Sequence, residues 1–174
     1  MKLNKTLALA ALALVLGLAP RVCLAQKRGP STPEEREQTV RLTRALETDP
    51  FNKEAKNARA WLIVFLTEVP DISVTVSSCY LEPIFSKDKN YGSDLFFQST
   101  FASAAFMIEH PDQAKDEVAV NKAGIEGSLR MYEAILKQKP KAKWPFLDEL
   151  IARREKGTLE DYVREAAAKC KAKS

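Results

Sequence analysis

Six large apolar residues stand in a row at Trp61-Leu62-Ile63-Val64-Phe65-Leu66. The run is too short to cross a bilayer, which takes roughly 20 apolar residues in a helix. From Asn52 to Glu68 the surrounding pattern has helical spacing. Ala55, Ala58, Leu62, Phe65 and Val69 form one stripe, while Trp61, Ile63, Val64 and Leu66 occupy the other faces. A helix that is apolar all round needs neighbours all round. The run therefore predicts a helical domain with this segment at its centre, covered by the helices before and after it.

The rest of the chain supplies those helices. Thr32-Pro33-Glu34-Glu35 combines an N-cap, a proline at the first helical position and a capping-box glutamate. It starts a helix to about Thr48 with Val40, Leu42, Ala45 and Leu46 inward. Asp49-Pro50 ends that helix. Phe97, Phe101, Ala104 and Ile108 recur at helical spacing between about Ser93 and Glu109, and Phe96, Ala105 and Phe106 widen the face. A fifth helix starts between Gln113 and Val118 and reaches Gln138, with Val118, Ile125, Leu129, Tyr132 and Leu136 on one side. A sixth opens at Pro145 and ends at Gly157. A seventh follows Thr158 with Leu159, Val163, Ala166 and Cys170 inward.

Ile72 to Phe85 reads two ways. Ile72, Val74 and Val76 alternate with Ser73, Thr75 and Ser77 as in a strand, yet no second strand is visible to pair with it, and a lone strand is unstable. The expectation is a helix. The fold class is thus all-α, about seven helices in stacked antiparallel pairs or an irregular bundle. Ala45-Leu46-Glu47-Thr48-Asp49-Pro50 and Ala134-Ile135-Leu136-Lys137-Gln138-Lys139-Pro140 both place alanine and an aliphatic residue before a proline-marked break. These breaks resemble the ends of tetratricopeptide-type helix pairs, without their regular period. As a whole the chain resembles small exported helical bacterial proteins of unknown function. That resemblance implies an all-α fold and export, and supplies no catalytic residues.

Residues 1–25 have the three parts of a secretory signal peptide. Lys2 and Lys5 form the charged start, Leu7 to Ala19 the apolar part, and Cys23-Leu24-Ala25 a small-residue exit before a cut near Ala25. A lipid anchor on Cys23 is the alternative, and Pro20-Arg21-Val22 fits its pattern badly. Residues 26–31 then form a flexible leader and 32–174 a single domain of a size that supports a real core. The expected site of action is the periplasm or the exterior. Three of the 27 basic residues (Lys2, Lys5 and Arg21) and none of the 23 acidic ones lie in residues 1–25, so the remainder is within one charge of neutral. That balance gives no support to nucleic-acid binding. No later segment is apolar for long enough to span a membrane.

Export leaves Cys79 and Cys170, and an even count in an oxidising compartment favours a disulfide over two buried thiols. Their separation of 91 residues gives the link a chain-entropy value of roughly 4–5 kcal/mol at most. His110 is the single histidine, with Glu109, Asp112, Asp116 and Glu117 nearby. A metal site there matches no strong ligand spacing, and a last-turn histidine is already accounted for by the helix dipole. A Cys79 nucleophile using His110 requires a free thiol. No metal, cofactor or catalytic residue is expected.

Gly124 and Gly127 each cost about 1 kcal/mol against alanine inside a helix. They point to close approach of another helix at Ala102 or Ala105, or to room for a ligand or partner side chain. Trp61, Phe65, Phe97, Phe101, Phe106 and Tyr132 form either plain core or the lining of a pocket. Phe51, Phe85, Tyr91 and Trp144 lie near helix ends, where one exposed ring could anchor a partner. The functional expectation is an exported, non-enzymatic protein-interaction module with a protein partner in the envelope. The alternative is a carrier of a small apolar molecule held between helices.

Overall fold

Thr32 caps the first helix through the expected capping box, with Glu35 reaching back to the Thr32 amide. The structure, a computed structural model, describes residues 28–75, 78–85 and 89–173. The signal peptide expected at 1–25, Cys23 within it and the first residues of the expected leader lie outside the described residues. Among the described residues the helices are α1 (Pro33–Thr48), α2 (Ala55–Glu68), α3 (Glu82–Phe85), α4 (Gly92–Glu109), α5 (Glu117–Gln138), α6 (Pro145–Glu155) and α7 (Leu159–Lys173), with a 3₁₀ turn at Ser78–Tyr80. The protein is all-α, with no strand among the described residues.

α4 and α5, the two longest of the described helices, make the most extensive contact among them and run antiparallel. Ser128 Oγ donates to the Leu95 carbonyl near one end, and Ser103 Oγ donates to the Val120 carbonyl near the other. α1 crosses both. The main core gathers on α5, where Ile125, Leu129, Met131, Tyr132 and Ile135 pack against Leu81, Ile84 and Leu95 and against Leu147, Leu150, Leu159 and Val163. Asp116 caps α5 by accepting from the Val118 and Ala119 amides. Gly157 follows α6 in the left-handed region at φ +73°, where glycine carries no Cβ penalty.

The segment Trp61–Leu66 is a helix, but it is not the centre. Ala55, Ala58, Leu62, Phe65 and Val69 are buried as expected, whereas Ile63 is 40% and Val64 53% exposed. Neighbours cover α2 on one side only, so the outward half of its apolar run meets solvent. A second small core (Leu46, Ala55, Ala58, Leu62, Phe101) joins α2 to α1 and α4, and a third (Phe65, Val69, Ile72, Ala104) closes its C-terminal end.

Two further expectations are corrected. Ile72 to Phe85 is not one helix. Ile72–Thr75 is non-helical, with Ile72 buried between exposed neighbours, and the 3₁₀ turn and α3 are separate short elements after it. Pro83 stands in the first turn of α3, where a missing amide is tolerated, so a helix does not run unbroken through it, and the β-branched Ile72, Val74 and Thr75 disfavour helix further upstream. In α1, Ala45 is exposed, and the buried face is Thr39, Thr43, Leu46 and Glu47. Three of those four are polar; of the apolar pattern Leu46 is buried and Leu42 half-buried against the same core as expected, and Ala45 faces outward. Thr39 returns its hydroxyl to the Glu35 carbonyl, and Glu47 is paired as described below.

Candidate functional site

α2 and α4 bring the outward residues of the apolar run beside Phe97. The sequence pattern places Phe97 inward, but it is 42% exposed. α4 turns Leu95, Phe96 and Phe101 toward its neighbours, which leaves Phe97 on the remaining side. Ile63, Leu66, Thr67, Val74, Phe97 and Phe101 line a surface groove of about 180 Å³. Along α4 the rings continue as a ladder: Phe85 lies 4.6 Å from Phe96, Phe96 6.2 Å from Phe97, and Phe97 6.4 Å from Phe101. Phe85 is 54% exposed and is the open ring among the four helix-end aromatics. Trp144 is buried and Phe51 and Tyr91 are half-buried, packed edge to face at 5.1 Å. Exposed rings and branched aliphatics adjoining one groove make an apolar face larger than scattered surface residues would.

The six aromatic residues singled out in the sequence do not line a common void. Tyr132 is fully buried in the α5 core. Trp61 and Phe65 stack on each other at 5.1 Å within α2, and Phe101 fills the core between α1, α2 and α4. Phe97 opens on the groove. Phe106 is half-buried beside His110, with ring centroids 4.7 Å apart. Gly124 and Gly127 sit where α5 meets α4. A Cβ on Gly127 would overlap Ala102 Cβ and come within 2.9 Å of Glu47 Oε1. On Gly124 it would overlap Ser103 Oγ and lie 2.8 Å from the Ser99 carbonyl oxygen. Both glycines are needed for helix contact.

Sequence reasoning missed a charged cleft of about 670 Å³ between the ends of α1 and α4, the start of α5, and α7. Glu47, 5% exposed, accepts two bonds from Arg130 at 2.7 and 2.9 Å and one from Arg44 at 3.0 Å. Arg44 also reaches Glu109 at 2.7 Å, and Glu160 is shared by Lys122 and Arg164. Burial works against the Arg130 charge, and the hydrogen bonds and charge of Glu47 outweigh it, raising its pKa. The ionic groups in this cleft largely satisfy one another, and the cleft joins four helices. A buried glutamate in helical register with an arginine 83 residues away was not readable from spacing alone. His110 lies at the rim, and among the described residues no three metal-binding side chains converge.

Cys79 and Cys170 are brought to disulfide distance, with Cα atoms 5.9 Å apart. The pair joins the 3₁₀ turn to the last turns of α7, and Tyr162 reinforces the same junction by donating to the Tyr80 carbonyl at 2.7 Å. A sulfur so engaged is not the free thiolate that a Cys79 nucleophile requires. No described helix is long and apolar enough to cross a membrane. Compared with known proteins, the chain matches no family model, no curated relative and no solved structure.

Proposed function

We propose that this is an exported, non-enzymatic protein that works by binding another polypeptide on the apolar face of α2 and α4. The observation that carries the reading is the exposure of Ile63 and Phe97 in one groove, with Val64 exposed next to Ile63 on the outward side of α2. A groove of about 180 Å³ has the scale of a single ring or branched aliphatic side chain, since a cavity of roughly 150 Å³ suffices for benzene. Drug-sized ligands occupy roughly 300 Å³ or more. The groove therefore suits an anchoring side chain of a protein partner, with Val64 and Phe85 as further apolar contact. The cysteine pair supports an oxidising compartment and hence export.

The test is affinity capture from an envelope extract with the wild-type protein and with Val64→Asp, an outward change that leaves the core intact. A specific polypeptide retained by the wild type and lost with the variant is the expected result. The same recovery with both proteins, or none with either, overturns the reading. The carrier of a small apolar molecule is the second reading, favoured by Phe97 and Phe101 lining the groove. Native mass spectrometry separates the two, because a carrier retains ligand mass.

A further inference from the structure

The outward face of α2 carries a pattern that is complementary to itself. Lys56 lies near its N-terminal end and Glu68 is its last residue, its carboxylate 3.7 Å from Arg28 of the same chain and its side chain still 58% exposed. Between them Ala60, Ile63, Val64 and Thr67 are exposed along one stripe. Two copies of such a helix laid antiparallel about a two-fold axis place Lys56 of each opposite Glu68 of the other. The same register sets Ala60 against Val64, so a small residue meets a large one where the axes are closest. Helix pairs with small residues at the crossing approach to about 8–10 Å. A parallel arrangement would instead oppose like charges at both ends.

We propose that the occupant of this face is a second copy of the chain, seated through antiparallel α2–α2 packing; this rests on the interaction-face reading above and names its partner. The symmetry is isologous, so each favourable contact occurs twice. Charge complementarity sets the direction, and the apolar stripe between the charges supplies the attraction. A contact made mainly by one helix of 14 residues per protomer is small, at the low end of specific interfaces, so the dimer is reversible.

The experiment is sedimentation velocity on protein expressed from the full sequence, in the processed form the host delivers, from low micromolar to near-millimolar concentration. Mass spectrometry fixes its N-terminus. The wild type should pass from monomer to dimer across that range. Lys56→Glu and Glu68→Lys should each weaken the dimer about tenfold, since each replaces two attractions with two repulsions. The double exchange should restore the wild-type constant within about twofold. Lys56 and Glu68 are exposed, and thermal melts of each variant verify that the fold is intact. A monomer at every concentration, or a dimer that ignores the charge exchange, overturns the proposal. In the first case a foreign polypeptide captured by wild type and lost with Val64→Asp would still uphold the interaction face, with a different occupant.

Discussion

The phenol oxygen of Tyr132 donates to Asp148 Oδ1 and accepts from the Trp144 backbone amide, both at 2.8 Å. One buried hydroxyl thus fixes the start of α6 against the middle of α5. Tyr132→Phe keeps the ring and orphans a buried amide, and should destabilise the protein by about 1–3 kcal/mol in denaturant unfolding. Burial, reinforced by Asp148 and opposed by the Trp144 amide, pushes the Tyr132 pKa up to about 12. A raised folded-state pKa contributes stability below the ordinary value of 10.0 and loses it as pH climbs toward 12. The gap between wild type and variant should therefore hold at neutral pH and shrink over that alkaline range.

Gly127 tests the helix contact directly. Alanine gains about 1 kcal/mol of helix propensity. Its Cβ, however, would collide with Ala102 and crowd Glu47, and overpacking costs about 1–3 kcal/mol. A net loss of stability in Gly127→Ala is expected from thermal melts. A gain would show that α4 and α5 separate more easily than their packing implies.

The cysteine pair predicts a redox-dependent difference. Cys79→Ser should lower the melting temperature under oxidising conditions, by up to the roughly 4–5 kcal/mol that a loop of 91 residues carries in the chain-entropy account. With reductant present, wild type and variant should melt together. An equal loss in both conditions would falsify the link as the source of the stability.

Asp71 anchors the chain ahead of α1. Its carboxylate accepts from Ser31 N at 2.8 Å, Ser31 Oγ at 2.7 Å and Arg36 at 2.8 Å. Desolvation alone would raise its pKa. The hydrogen bonds from Ser31, then Arg36, prevail and hold it at about 2 against the ordinary 3.8. A depressed carboxylate contributes stability above the ordinary value and loses it as pH falls through the folded one. Asp71→Asn should lower the melting temperature at neutral pH, with the difference closing between pH 3.8 and about 2.

The helices were legible where apolar periodicity was reinforced by end signals. Thr32 to Glu35, Pro145 and Gly157 set boundaries that the fold keeps. What stayed hidden was which elements meet. The apolar run of α2 announces a need for cover, but nothing local shows that one side of the helix lacks a neighbour, so Ile63, Val64 and Phe97 read as core. Glu47 failed in the opposite sense. Its burial depends on Arg130, which lies 83 residues away and across a helix contact made possible by Gly127. The two glycines were the one sequence signal that pointed to that contact.

The link between Cys79 and Cys170 has a topological consequence. It closes residues 79–170 into a covalent ring holding α3 to α6 and most of α7, while α1 and α2 hang outside it as a tail. The apolar face straddles that division, since Ile63 and Val64 belong to the tail and Phe85 and Phe97 to the ring. The tail is held to the ring without a covalent link, by Leu46 and Leu62 on Phe101, by Phe65 and Ile72 on Ala104, and by the Glu47–Arg130 ion pair. The apolar face is thus a seam between a covalently closed body and a segment that only packing and ion pairs hold to it, so separating its two sides breaks no covalent bond.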